Sequence, residues 1–237
     1  MAYLIGIDVS TTAAKTLLVR AEDGAVIASA SRGFPIHSPR PLWCEQNQID
    51  WVKAAFAGIR AVLNQAAIPP QEVLGLGLTG QMHGLTLLDN RMRLLRPAIL
   101  WNDQRTGEEC EEIRRIIGKA RLVELTGNDA FAGFTAPKFL WVRKHEPEIY
   151  ARARHFLLPK DYVRWHLTGR LATDCADAAG TLLLDARTRR WSAEMLDALQ
   201  IPAAWLPTVY EGPQITAPIT NRAARLTGLP AGTPVIA

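Results

Sequence analysis

The sequence predicts an α/β fold, and three observations carry that prediction. Short apolar runs at Leu4–Ile7, Val73–Leu78 and Leu85–Leu88 have the length and flanks of strands. Ile49, Val52, Phe56, Ile59 and Leu63 recur at helical spacing. Polar clusters stand where predicted strands end, the arrangement that lines ligand crevices in layered α/β proteins.

Taken in order, the apolar run Leu4–Ile7 stops at Asp8, and a second apolar run follows Lys15. Two strands joined by the Ser10-Thr11-Thr12 turn explain this pattern. Asp23-Gly24 marks a turn, and Ala25–Ala30 reads as a third strand. Residues 33–47 form a proline-bearing loop that Trp43 anchors over the core. The helix through Ile49–Leu63 is expected to stop at Pro69-Pro70. Strands are expected at Val73–Leu78, Leu85–Leu88 and Ile99–Trp101, with Asn102-Asp103 capping the next helix, which Gly118 ends. Pro137 opens a helix through Val142, and a short one begins at Pro147. His155–Leu158 reads as a strand and Asp161–Leu167 as a helix stopped by Gly169. Ser192 caps a helix to Leu199, Arg222–Leu226 forms another, and Pro234 begins a strand. No internal repeat, low-complexity segment or interdomain linker stands out. A strand beginning at the last residues suggests that the polypeptide continues.

Composition sets bounds. The chain has 237 residues, 48% hydrophobic and 21% charged, which fits a soluble globular protein with ample core. No apolar run reaches the ~18 residues of a membrane span, and no secretory leader is visible. Cys44, Cys110 and Cys175 are odd in number and far apart, which points to reduced thiols in a cytoplasmic protein. A net charge of +4, with dispersed Lys and Arg, suits small anionic ligands and gives no footprint for nucleic acid.

Three clusters carry candidate chemistry. The first turn offers Asp8 for a metal, hydroxyls and backbone N–H groups for phosphate oxygens, and Lys15 for charge. Residues alone leave open an ordinary hairpin turn. Gln81, Met82 and His83 follow the strand at Leu78, and Trp101-Asn102-Asp103 follow that at Ile99. Gln81 and His83 suit sugar hydroxyls, while Met82 and Trp101 suit ring or chain carbons. A structural histidine is an equal reading for His83, and packing in the core is the favoured one for Trp101. Asp174 and Asp177 could serve a metal or acid/base chemistry, with capping and turn formation the preferred account.

The motifs LIGIDVSTTAAK, LGLTGQMHG, PAILWNDQR, GFTAPKFLWV, LLPKDYVRWHLTG and TDCADAAGTLLLD occur in this order. Together they resemble the N-terminal half of the xylulokinases, a branch of the FGGY carbohydrate kinases. QMHG with LWNDQR marks that branch; glycerol kinases carry Arg-Glu at the place of Met82-His83. The resemblance implies the actin-like (ribonuclease H-like) ATPase fold, with residues 1–237 as the sugar-binding domain of a two-domain kinase. It implies ATP-dependent phosphorylation of D-xylulose to D-xylulose 5-phosphate with Mg²⁺, and leaves a homodimer open. Asp8 would then belong to the metal site, and Thr11, Thr12 and Lys15 to the phosphate turn. Met82 and His83, with Gln81, Trp101 and Asn102 beside them, would meet the sugar. Phe134, Thr135 and Lys138 would lie near the same cleft. The family's catalytic Asp follows the strand that starts near Pro234, so the resemblance puts it beyond Ala237, together with the nucleotide domain. Ser10 and Ala13 replace glycines usual in the family turn, which bears on phosphate geometry. Other expectations are a kinase for another pentulose or polyol, a non-catalytic sugar-binding module, or an actin-like structural protein.

Overall fold

The computed structural model describes residues 1–237. Strands β1 (Tyr3–Val9), β2 (Ala13–Arg20) and β3 (Val26–Gly33) form an antiparallel meander. Tyr3, Ile5, Ile7 and Val9 are buried on one face of β1, while Leu4 and Asp8 alternate with them on the other. The two-residue strand β4 (Glu45–Gln46) leads into α1 (Gln48–Ala66), which lies on that buried face. Asn47 caps α1 by accepting from the Ile49 N–H at 3.0 Å. Trp51, Ile59 and Val62 of α1 are fully buried, each aliphatic side chain contributing about 1.5–3 kcal/mol. Gly58 lets α1 lie close to β2, because a Cβ there would run into the Thr16 hydroxyl.

Strand β5 (Val73–Gly80) then pairs parallel with β1. Next come β6 (Thr86–Leu88), β7 (Ala98–Ile99), α2 (Gly107–Ile117), α3 (Lys119–Thr126), α4 (Thr135–His145) and α5 (Pro147–Arg152). Strand β8 (His155–Leu157) pairs with β6, and α6 (Pro159–Thr168) packs against α1 and β5. The chain continues through β9 (Ala172–Asp174), α7 (Cys175–Ala179), β10 (Leu184–Asp185), β11 (Arg190–Trp191) and α8 (Ala193–Leu199). It ends with β12 (Thr208–Tyr210), β13 (Ile215–Pro218), α9 (Asn221–Thr227) and β14 (Pro234–Ile236).

The main sheet has the order β13-β14-β5-β1-β2-β3. One core lies between this sheet and α1, α6 and α9; a second joins β6 and β8 to α2, α4 and α8. Strand β6 belongs to both, with Leu88 in the first and Leu87 in the second. No helix is long and apolar enough to cross a membrane.

The structure differs from sequence expectation in several places. Helix α1 stops at Ala66, before the two prolines, because Ala67 turns left-handed at φ 51° and its N–H donates to Leu63 O. The strand expected at Ile99–Trp101 is Ala98–Ile99. Asn102-Asp103 does not cap the next helix; Thr106 stands there instead. The Asp103 carboxylate accepts from the Cys44 N–H at 2.6 Å and from Arg105. Gly118 ends α2 as expected and leads directly into α3, a helix the sequence pattern does not announce. Strands β9, β12 and β13 leave no sequence signal either, being short and without alternation.

Candidate sugar and phosphate site

The β1–β2 turn closes without glycine. Its residues, including Ser10 and Ala13, show no positive φ. Ser10 donates twice to Ala13 O, through its N–H at 3.0 Å and its hydroxyl at 2.8 Å. The Ser10 hydroxyl is therefore engaged in the turn and does not stand free for a ligand. The N–H groups of Thr11 and Thr12 donate to no other group of the chain, and are oriented donors of the kind that hold anions. Asp8 stands opposite Lys15 on β2 and Thr79 on β5. All three line a groove of about 420 Å³ on the sheet face away from α1, together with Gly6, Leu17 and Ile236.

The two other polar clusters meet this turn. Trp101 is 40% exposed, so it is not a core residue, and its Nε1 donates to Thr11 Oγ1 at 2.9 Å. It lies outside the core because the strand preceding it ends at Ile99. Gln46, a residue with no local sequence signature, makes a second link. Its Nε2 donates to Thr11 O at 2.7 Å, and its Oε1 accepts from Trp51 Nε1 at 3.0 Å and from Gln81 Nε2 at 2.9 Å. Gln81 is buried, with Nε2 engaged by Gln46 and Oε1 unpaired. It braces the turn from inside. Met82, by contrast, is exposed, and Asn102 is half-buried with an unpaired Oδ1.

His83 is buried in the left-handed region at φ 63°. That backbone is held by two donors into its carbonyl, Thr135 Oγ1 at 3.1 Å and Lys138 Nζ at 2.9 Å. Lys138 also donates to Gly133 O at 2.8 Å. The His83 ring lies 4.4 Å from the Phe134 ring, and Phe131 stands edge-on to Phe134 at 5.7 Å. Phe131, Met82 and Trp101 are exposed apolar groups in this part of the fold. Burial pulls the His83 imidazole down to about 4, with the Lys138 ammonium adding to it and the Gly180 backbone opposing. It is neutral at physiological pH, with Nδ1 buried and unpaired. Burial likewise lowers Lys138 to about 7.

Beneath the Trp43 loop, the Arg105 guanidinium lies 3.7 Å from the Trp43 ring centroid and pairs with Asp103 and Glu45. This makes Trp43 a loop anchor. Asp174 caps α7 through the N–H groups of Ala176 and Asp177, and both aspartates turn to Lys160. No group of three or more His, Cys, Asp or Glu side chains is disposed to hold a metal.

Residues 3–237 match the N-terminal domain of the FGGY family of carbohydrate kinases. The chain belongs to that family. This FGGY domain is 43% identical to a xylulose kinase of Escherichia coli (strain K12) over 233 residues, covering 98% of the chain and 47% of the relative. It is 39% identical to a xylulose kinase of Bacillus subtilis (strain 168), covering 97% of the chain and 46% of that relative. Among solved structures it resembles xylulose kinase from Rhodospirillum rubrum, with a TM-score of 0.94, 30% identity, and coverage of 99% of this chain and 48% of that one. The fold is thus the actin-like one of the sugar kinases. This FGGY domain spans about half the length of the curated relatives it matches.

Proposed function

We propose that this chain is the sugar-binding half of an ATP-dependent ketose kinase that converts D-xylulose to D-xylulose 5-phosphate. The observation that supports this reading best is the join between the two clusters. Trp101 Nε1 bonds Thr11 Oγ1, and Gln46 bonds both Thr11 O and Gln81. A phosphate-type turn and the strand end carrying Met82-His83 are thereby held as one unit. Phosphoryl transfer depends mostly on such positioning and on charge neutralisation.

In this reading the free N–H groups of Thr11 and Thr12 receive phosphate oxygens, and Lys15 offsets their charge. The single carboxylate of Asp8 fits Mg²⁺, which takes one or two protein carboxylates and completes its shell with water and phosphate. Magnesium, when bound, draws charge from the phosphate oxygens. His83, neutral and fixed, hydrogen-bonds a sugar hydroxyl, and Met82 with the exposed aromatic rings covers the carbon chain. The base that receives the hydroxyl proton, and the nucleotide domain, belong to the half of the relatives' length that this chain does not span.

The test is a coupled ADP-release assay with D-xylulose on this chain and on the full-length polypeptide. Turnover by the full-length protein alone is expected. Turnover by neither, with turnover of another pentulose or polyol in a substrate panel, would move the assignment to that sugar.

A further inference from the structure

Lys160 is buried at the start of α6, and no role in the proposed chemistry uses it. Its Nζ lies 2.6 Å from Asp174, 2.8 Å from Asp161 and 3.2 Å from Asp177. Arg164, also buried, pairs with Asp161. Two cations thus face three carboxylates in a closed cluster. Burial works against the Lys160 charge, yet Asp161, Asp177 and Asp174 together hold its pKa above the ordinary lysine range. Breaking one member of such a cluster leaves buried charge without a partner.

The cluster sits behind the sugar residues. A Cβ on Gly80, next to Gln81, would come 3.3 Å from Lys160 Cβ. Asp174 and Asp177 belong to the cap and body of α7, whose C-terminal residue is followed by Gly180. A Cβ on Gly180 would come 2.5 Å from His83 Cε1 and 2.8 Å from Nδ1, so the ring rests directly on this glycine. Thr181 O then accepts from the Ala136 N–H at 3.0 Å, tying the α7 exit to α4, the helix that holds the His83 carbonyl.

We propose that Lys160 is a positioning residue for the sugar pocket, pinning α7 so that Gly180 backs the His83 ring. A five-residue helix has little stability of its own, and its placement depends on its anchors. Besides the Cys175 thiol's bonds to Arg189 O and Glu211, Lys160 is the charged anchor that joins it to α6, with the Lys160 Cβ lying against Gly80 at the strand end before Gln81. The inference rests on the sugar-kinase reading for its kinetic effect, but not for its effect on His83.

The experiment uses the full-length polypeptide with Lys160→Met and Asp174→Asn. Asparagine is as good an N-cap as aspartate, so the second variant keeps α7 capped through Oδ1 while an amide N–H₂ replaces the carboxylate oxygen facing Lys160, which removes both charge and acceptor there. Each variant is expected to raise KM for the ketose by about tenfold or more, as ångström-scale misplacement does, with KM for ATP unmoved. A purely structural role would lower melting temperature and impair both substrates alike. The second readout is the His83 imidazole titration by NMR, expected to move from about 4 toward its ordinary 6.5 as the ring loosens. Should Lys160→Met fail to fold, Asp174→Asn decides. Folded variants with unchanged ketose KM and an unmoved His83 titration would overturn the proposal. If the unmodified protein turns over no ketose, the kinase reading fails, and the His83 titration alone decides the role of Lys160.

Discussion

Replacing Gln46 with leucine tests the join between the β1–β2 turn and the strand end at Gln81 most directly. Gln46 is 1% exposed, Trp51 is fully buried and Gln81 is 5% exposed, so water has little access to the groups Gln46 serves. Gln46→Leu keeps most of the volume but removes the partner of four polar groups: Trp51 Nε1, Gln81 Nε2, Thr11 O and, through a longer bond on an exposed residue, Pro35 O. An unpaired buried donor or acceptor costs about 1–3 kcal/mol. Thr11 borders solvent and recovers part of its loss, which puts the total at about 3–5 kcal/mol. The assay is urea unfolding, comparing extrapolated free energies at equal m. Gln46→Glu is the companion variant. It keeps an acceptor for Trp51 and Gln81 but sets a carboxylate oxygen against Thr11 O, so the turn is released while the core contacts stay. A loss under about 1 kcal/mol for Gln46→Leu, with m unchanged, would refute the network as a structural join.

Three further outcomes are expected. Lys138 titrates near 7 in the fold and at 10.5 when exposed, so between those values the unfolded chain holds more protons. Stability should therefore rise with pH across that window, by an amount of order 5 kcal/mol from this group, and Lys138→Met should flatten the rise in urea midpoints. Trp101→Phe keeps an aromatic ring and deletes the donor to Thr11 Oγ1; on the proposed kinase reading, about 1 kcal/mol, or roughly fivefold, should appear in KM for ATP of the full-length polypeptide rather than in folding. Ala67→Gly should stabilise the protein by about 0.5–1 kcal/mol in thermal or urea unfolding, because Ala67 holds the left-handed turn that glycine adopts freely.

The first hairpin is legible in sequence because buried and open residues alternate along β1 and β2, and a polar turn separates them. The helix α1 is legible for the same reason at a different period. Trp101 is not, because an aromatic residue closing an apolar run looks identical whether the strand includes it or stops two residues earlier. Gln46 has no local signature either. It sits in a two-residue strand at the end of a proline-bearing segment, and its importance comes from Thr11, Pro35 and Gln81 on other elements as well as from nearby Trp51. Lys160 is hidden in the same way: an adjacent Lys-Asp pair reads as surface, and the acids that bury it arrive from β9 and α7. Polar groups fixed by long-range partners leave no periodicity to read, whereas apolar faces do.

The left-handed backbone at His83 restricts which residues can replace it. With φ at 63°, glycine, asparagine and aspartate can take the position at small cost, while valine, isoleucine and threonine would strain it. On the proposed sugar-kinase reading, a designer seeking a new acceptor sugar therefore has a short alphabet at this position. A change of side chain there is also a change of backbone energy, and the carbonyl that Lys138 and Thr135 grip moves with it. In the same reading, retuning preference through Met82, which is exposed and has no such constraint, leaves the scaffold alone.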